Sequence, residues 1–405
     1  MTKIKIFVIT TELPGRIGGT PVRNYNLIKQ IPKDKFSLCL FTILDNQTKY
    51  YLPKTEKKLS IPIYAVTSKR LSMVKKINAL LVNRLIPYME EYRGSGLGLI
   101  LLRKINEEQP NIVQIETLNA YYAIIDILPI IKEKNIKIIF DAHNVEQIAF
   151  EESIKVFNLI KKIIGRWILP NFIKIENKAI KSVDYVFTCS DIDKAFFEKL
   201  VNSKIITVIP NGVDLMFFMP NKQVVGNTVL FMGKASYPPN EEALKYYFSE
   251  IHELVKKSIP DVKIYILCGK SPLWLKRIAV NDPSIILPGF VEDVREYLDK
   301  TRICISPIKS GSGTSLKILE YMAMSKPVVS TSKGVRGLDI ENKKNILIAD
   351  NPFDFANKII WLIENPIEGK KIGARARKLI EERYKWNIIS QKVESVYREL
   401  KYETK

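Results

Sequence analysis

Short apolar runs of strand length recur from one end of this chain to the other, each separated from the next by a segment of helical character. IKIFVIT, FSLCLFTI, IPIYAV, NIVQIE, IKIIFDA, DYVFTCS and KIITVIP read as strands in the first half. Between them lie helical stretches such as PVRNYNLIKQI and DIDKAFFEKLV. The runs are almost continuously apolar, where a strand with one wet face would alternate. That marks a parallel sheet covered by helices on both faces. A second series begins near Thr228: TVLFMG, VKIYILCG, SIILPG, RICISPI, PVVSTS and NILIAD. The segment PNGVDLMFFMPNKQVVGN separates the two series and reads as an interdomain linker near 211–227. The expected architecture is α/β: two Rossmann-like domains, 1–217 and 218–385, with a last helix from about Trp386. Ligands of such sheets bind outside the carboxyl ends of the strands, so two facing sheets would put their sites on opposite walls of one cleft.

A chain of 405 residues is too long for one ordinary hydrophobic core, and 46% hydrophobic with 26% charged residues is a soluble globular composition. The opening MTKIKIFVITTELPG has too short an apolar run, and no cleavage site, for a secretory signal. The run AYYAIIDILPII is broken by Asp126 and Pro129, is too short to span a bilayer, and reads as a buried helix. Cys39, Cys189, Cys268 and Cys304 each sit alone in an apolar run, as reduced core thiols of a cytoplasmic protein do. Two histidines exclude any mechanism that needs a histidine cluster.

The net charge of +20 is concentrated: Lys29 to Lys104 holds fifteen Lys/Arg against five Asp/Glu. No nucleic-acid-binding signature accompanies it, which disfavours DNA or RNA and leaves an anionic membrane or acceptor, or plain solvation. Within KRLSMVKKINALLVNRLIPYMEEYR, Leu71, Val74, Ile77, Leu81 and Leu85 recur near helical spacing among Lys69, Arg70, Lys75, Lys76 and Arg84. Such a helix either lies in a headgroup plane, making the protein peripheral on the inner membrane face, or packs its stripe on the sheet with its lysines in water.

The stretch 306–337 carries the strongest chemical signal. A strand runs into Gly311-Ser312-Gly313-Thr314 and then a helix from about Ser315. Glycines permit close backbone approach, Thr314 is placed to cap the helix, and the N–H groups of Ser315 and Leu316 point at an anion. Glu320 lies too far along to cap and suits a ribose diol. In FMGKASYPPNEEALKYYFSEIHELV a strand ends at Gly233, Lys234 follows as a cation for a diphosphate, and Asn240 is expected to cap a scaffold helix. His252 beside that helix's apolar stripe reads as structural. In LPGFVEDVREYL, Gly289, Phe290 and Val291 offer backbone groups for a base edge, and Asp293 caps a helix. Gly15, Gly18 and Gly19 between the first strand and helix do not match the dinucleotide fingerprint, which disfavours a redox cofactor. His143 and Asn144 in FDAHNVE follow a strand end, where sites of such sheets lie.

In this order, the GG loop, DAHNVE, PNGVD, FMG…YPPN, PGFVEDV and SGTSLKILEYMAMSKPVV resemble the family 4 glycosyltransferases of GT-B fold over nearly the whole chain. The resemblance implies a retaining enzyme that uses a nucleotide-sugar (a UDP- or GDP-sugar) without cofactor or metal, on a glycan, polysaccharide or lipid-linked acceptor. It implies acceptor binding by the N-terminal domain, donor binding by the C-terminal one, and a closing helix 386–405 that packs back on the first. It places Glu320 on the ribose, Gly313 to Leu316 on the diphosphate with Asn211 nearby, and Lys234 on the leaving group. Gly18 and Gly19 close over the donor, and His143 lies near the reacting sugar. Two departures stand out: Ser312 occupies the first position of the usual Glu-x7-Glu pair, and Ser315 the place of a basic residue, whose charge Lys317 or Lys309 could replace. The rival readings are a nucleotide-sugar epimerase of the same fold and a catalytically inactive nucleotide-binding homologue.

Overall fold

The computed structural model describes residues 3–15, 18–46, 48–68, 70–221, 224 and 226–402. Lys69 of the basic segment lies outside them. The chain divides into two compact units, Met1–Pro210 with Trp386–Lys405, and Asn211–Lys385. The division falls after Pro210 because Val213 and Phe218 are buried in the second unit's core, and Val213 bridges Lys385 there.

The first unit holds β1 (Ile4–Thr10), β2 (Phe36–Leu44), β3 (Ile63–Thr67), β4 (Ile112–Glu116), β5 (Lys137–Ala142), β6 (Tyr185–Thr188) and β7 (Ile206–Val208). They form one parallel sheet in the order 3-2-1-4-5-6-7. Period-two alternation sends Phe7 and Ile9 to the core on one face, and Ile4, Ile6 and Val8 to the core on the other. The closing helix Trp386–Tyr402 packs on the second face beside the helix Gly19–Gln30 through Trp386, Ile389, Val393, Val396, Tyr397 and Leu400. Full burial of such side chains stabilises by roughly 1.5–3 kcal/mol each, enough to hold a helix whose sequence neighbours belong to the other unit.

The second unit repeats the plan with β8 (Thr228–Met232), β9 (Lys263–Leu267), β10 (Ile285–Ile286), β11 (Ile303–Ser306), β12 (Val328–Ser330) and β13 (Leu347–Ile348). Its order is 10-9-8-11-12-13, again all parallel. Each sheet therefore reverses its winding once, between β1 and β4 and between β8 and β11. In sheets of this kind, ligands bind outside the carboxyl ends of the strand pair where the winding reverses.

Several local expectations change. AYYAIIDILPII is buried but broken into the helix Thr117–Ala123, a 3-10 turn and the helix Leu128–Glu133, because Pro129 cannot continue a helix. The scaffold helix starts at Pro238 behind Tyr237 and passes through a π-turn at Tyr247–Ile251, so Asn240 is inside its first turn and is not its cap. The basic segment forms two helices, Met73–Leu81 and Pro87–Arg93, with Arg84 in the left-handed region between them. Its apolar residues do not share one face: Leu85 is buried, whereas Val74, Ile77 and Leu81 are exposed. All four cysteines are free and buried. No helix among the described residues is long and apolar enough to cross a membrane.

Candidate donor and acceptor sites

At the β8/β11 reversal, Gly233 follows the end of β8 with φ 154°. A Cβ there would lie 2.7 Å from Asn240 Nδ2 and 2.8 Å from Lys317 Nζ, so only glycine lets these side chains cross the strand end. Asn240 Nδ2 donates to the Lys234 carbonyl at 3.0 Å, and Lys317 Nζ donates to Asn240 Oδ1 at 2.7 Å. The Lys317 ammonium also lies 4.4 Å from the centre of the Phe231 ring. Burial pushes Lys317 down to about 7 although Glu320 favours its charge, and burial pushes Glu320 up to about 7 although Lys317 opposes that. A cation and an anion are thus gathered where neither is well solvated. Lys234 is exposed.

The helix Leu316–Ala323 begins behind Ser315, with no side chain capping it. Thr314 does not serve as its cap: Asn211 Nδ2 donates to Thr314 Oγ1 at 2.7 Å, which ties the linker to the glycine turn. The first N–H groups of that helix keep the free donors and favourable dipole that suit a phosphate. Gly311, at φ 113°, turns the loop. Ser312 is buried, its hydroxyl has no hydrogen-bond partner among the described residues, and its carbonyl accepts from Arg336. Of the two replacement cations, Lys317 belongs to this cluster, whereas Lys309 lies over the Tyr246 ring at 4.1 Å. The 289–291 loop turns at Gly289 (φ 82°) and leaves Phe290 74% exposed. Asp293 is not the expected helix cap, since Val294 holds that position before Arg295–Lys300; it accepts instead from the Arg295 N–H and guanidinium. Among the described residues no hydrogen bond joins Gly289, Phe290 or Val291 to the 311–320 segment.

At the β1/β4 reversal a second polar cluster is almost wholly buried. Arg23, on the helix that follows β1, donates to both carboxylate oxygens of Asp141 at 2.9–3.2 Å and to the Pro210 carbonyl at 3.1 Å. His143 Nε2 lies 2.9 Å from Glu116 Oε2, and Nδ1 lies 3.2 Å from Thr20 Oγ1. Both ring nitrogens of His143 are thus engaged, one by the Glu116 carboxylate and one by the Thr20 hydroxyl. Gln114 Nε2 donates to Glu116 Oε1 at 2.6 Å, and Tyr397 of the closing helix donates to Gln114 Oε1 at 2.5 Å. Gly18 caps the helix Gly19–Gln30 at φ 100°, and both Gly18 and Gly19 are exposed at its start. Glu116, Asp141 and His143 are close enough to share a cation. Arg23 already supplies the positive charge that Asp141 needs.

His252 is structural as expected: its Nε2 contacts Asp282 and Ser284, and burial lowers its basicity. Arg23, Glu116 and Asp141 escaped sequence reasoning, although Gln114 and Glu116 at alternate positions of an apolar strand are a readable signal of polar groups on one face. Asn240 and Lys317 meet across 77 residues of sequence, and no local pattern announces that contact.

Comparison with known proteins places the chain in a family. A profile of "Glycosyltransferase Family 4" matches residues 17–217, and one of "Glycosyl transferases group 1" matches residues 226–365. An uncharacterized 44.6 kDa protein of the cps region of Klebsiella pneumoniae is 32% identical over 38% of this chain and 42% of its own length. An MMP α-(1→4)-mannosyltransferase of Mycolicibacterium hassiacum is 22% identical over 58% of this chain and 59% of its own. The matches thus span well under two thirds of these curated relatives. The crystal structure of Anabaena HepE in complex with UDP-glucose superimposes over 98% of this chain and 100% of that one, with a TM-score of 0.67 at 15% identity. That likeness shows the two-domain GT-B fold. With adjoining profiles covering both units, this chain belongs to the group 1 glycosyltransferases of family 4.

Proposed function

We propose that the chain transfers a sugar from a nucleoside-diphosphate sugar to a glycan or lipid-linked acceptor, with retention of anomeric configuration. The observation that carries this reading is the cluster at the β8/β11 reversal: Gly233, Asn240, Lys317 and Glu320 beside an uncapped helix start. A uridine diphosphate is the first candidate, since the Anabaena relative of the same fold holds UDP-glucose. Glu320 accepts from the ribose hydroxyls, the N–H groups of Ser315 and Leu316 take phosphate oxygens, and the 289–291 backbone reads the base.

The bond between the sugar's C1 and the diphosphate oxygen breaks as the acceptor oxygen bonds to C1. Electron density moves to the leaving diphosphate, and the acceptor's proton follows to a phosphate oxygen or to solvent. Lys234, Lys317 and the helix dipole face that growing charge, which is where preorganised donors lower a barrier most. These protein cations fill the role a divalent metal would otherwise have at the diphosphate. His143, held by Glu116 and Thr20, and the Gly18–Gly19 turn serve the reacting sugar and its acceptor.

Incubation with a panel of UDP- and GDP-sugars and glycan acceptors, with the product anomer read by NMR, tests the reading. Retained configuration that survives EDTA supports it. An inverted product overturns retention, and sugar isomerised without acceptor identifies an epimerase. The buried, chargeless Ser312 in place of a donor-sugar carboxylate favours one second reading, a homologue that binds nucleotide but neither transfers nor hydrolyses it.

A further inference from the structure

The first unit exposes an unusual amount of aliphatic and aromatic surface in two places that touch. On and just after the helix Met73–Leu81, Met73, Val74, Ile77, Leu81 and Val82 are 50–77% exposed. At the start of the helix Leu159–Lys181, Leu159, Ile160, Ile163 and Trp167 are 45–75% exposed. The two segments meet where the Arg84 guanidinium stacks 3.8 Å above the Trp167 ring and Asn171 donates to the Asn83 carbonyl at 2.9 Å. Scattered exposed apolar residues are ordinary on a folded protein, but nine on two adjoining segments form a surface that needs covering.

The charges around this surface decide what covers it. Residues 70–86 and 158–167 carry Arg70, Lys75, Lys76, Arg84, Lys161, Lys162 and Arg166 and no acidic residue. Glu90, which accepts from Asn83 Nδ2 at 3.3 Å, and Glu91, 3.9 Å from Lys76, stand at its margin. Farther along the same helix, Lys174, Lys178 and Lys181 line an open groove with Lys132. Aliphatic side chains with a tryptophan, set among seven cations with carboxylates at one margin only, match the acyl boundary and headgroups of an anionic bilayer.

We infer that these two segments form one platform that seats the first unit on an anionic membrane surface, with Val74, Ile77, Ile163 and Trp167 entering the acyl boundary. The single-helix arrangement expected from residues 69–93 is thereby replaced by a surface of two segments distant in sequence. This seating is independent of the transfer reaction and of every residue assigned to it.

Flotation with phosphatidylcholine vesicles, with and without phosphatidylglycerol, tests the inference on the full chain, together with tryptophan fluorescence. The wild type should float only with the anionic vesicles, and its emission should shift to the blue. Converting Val74, Ile77 and Ile163 to Ser should cut binding at least tenfold even at low salt, and Lys75, Lys76, Lys161 and Lys162 to Gln should cut it similarly. Unchanged melting and UDP binding in both variants would show that they fold. Failure of the wild type to float at low salt would overturn the inference. So would flotation indifferent to the serine substitutions, which is electrostatic adsorption alone. A wild-type dimer that the serine variant disperses would assign the surface to a second copy of the chain and equally overturn it.

Discussion

The two winding reversals of this molecule look alike in topology and differ in how their charges are satisfied. At β1/β4, Arg23 hydrogen-bonds Asp141, while Glu116 is engaged by His143 and by Gln114, which accepts in turn from Tyr397 of the closing helix. At β8/β11, among the described residues Lys317 donates a hydrogen bond only to the neutral Asn240, burial suppresses its ionisation and that of Glu320, and both stand on a helix whose start has no side-chain cap. The first arrangement is satisfied within itself and fixes its loops, His143 among them, in place. In the second, Lys317 and Glu320 share one poorly solvated cluster without an ion-pair hydrogen bond among the described residues, an arrangement that phosphate oxygens and ribose hydroxyls of a bound nucleotide would complete.

If that contrast is real, the two clusters respond oppositely to mutation. Arg23→Met leaves the Asp141 carboxylate buried without its partner and should destabilise folding by about 3–5 kcal/mol. Lys317→Met instead removes a poorly solvated amine and should leave the melting temperature unchanged or raised. A stable Arg23→Met protein, or a Lys317→Met protein that melts much earlier, would break the comparison.

Function should show the reverse weighting. Lys234→Ala should lower kcat by roughly 100-fold, and more than it raises donor KM, because its cation acts as leaving-group charge develops. A change confined to KM would mean uniform binding of the diphosphate. Glu320→Ala should weaken UDP binding by about 2–3 kcal/mol in calorimetry, the loss of charge-assisted ribose contacts. Unaltered affinity would remove Glu320 from the site. The smallest effect is on the scaffold side: Tyr397→Phe should cost about 1 kcal/mol in denaturant unfolding and leave UDP affinity intact.

How far each cluster can be read in the sequence follows the same division. The strands, both series of them, are legible because a parallel strand is apolar over its length whatever surrounds it. The glycine turn 311–314 and the helix after it are legible because their chemistry is local. The caps are not. Thr314 and Asn240 have the side chains that cap helices, but Asn211 claims one, 103 residues away, and Lys317 the other. Arg23 and Asp141, 118 residues apart, are hidden for the same reason, since each looks like an ordinary charged residue until the sheet brings them together. The exposed face of 159–167 is hidden differently: its apolar residues suit a core, and only the folded neighbours show that no core covers them.

The most direct test of the β8/β11 cluster as the nucleotide site is the proton balance of UDP binding, measured by calorimetry in two buffers of different ionisation enthalpy. Lys317 sits at about 7 in the free protein, below its ordinary 10.5, so at about pH 8 its amine is mostly neutral. A diphosphate beside it favours the ammonium and draws a proton from the buffer. Glu320, raised only to about 7, is mostly ionised there, and ribose hydroxyls that donate to it keep it so without releasing a compensating proton. The expected result is net proton uptake on UDP binding, abolished in Lys317→Met with weaker affinity. UDP binding with the same enthalpy in both buffers, and the same affinity in the mutant, would contradict it.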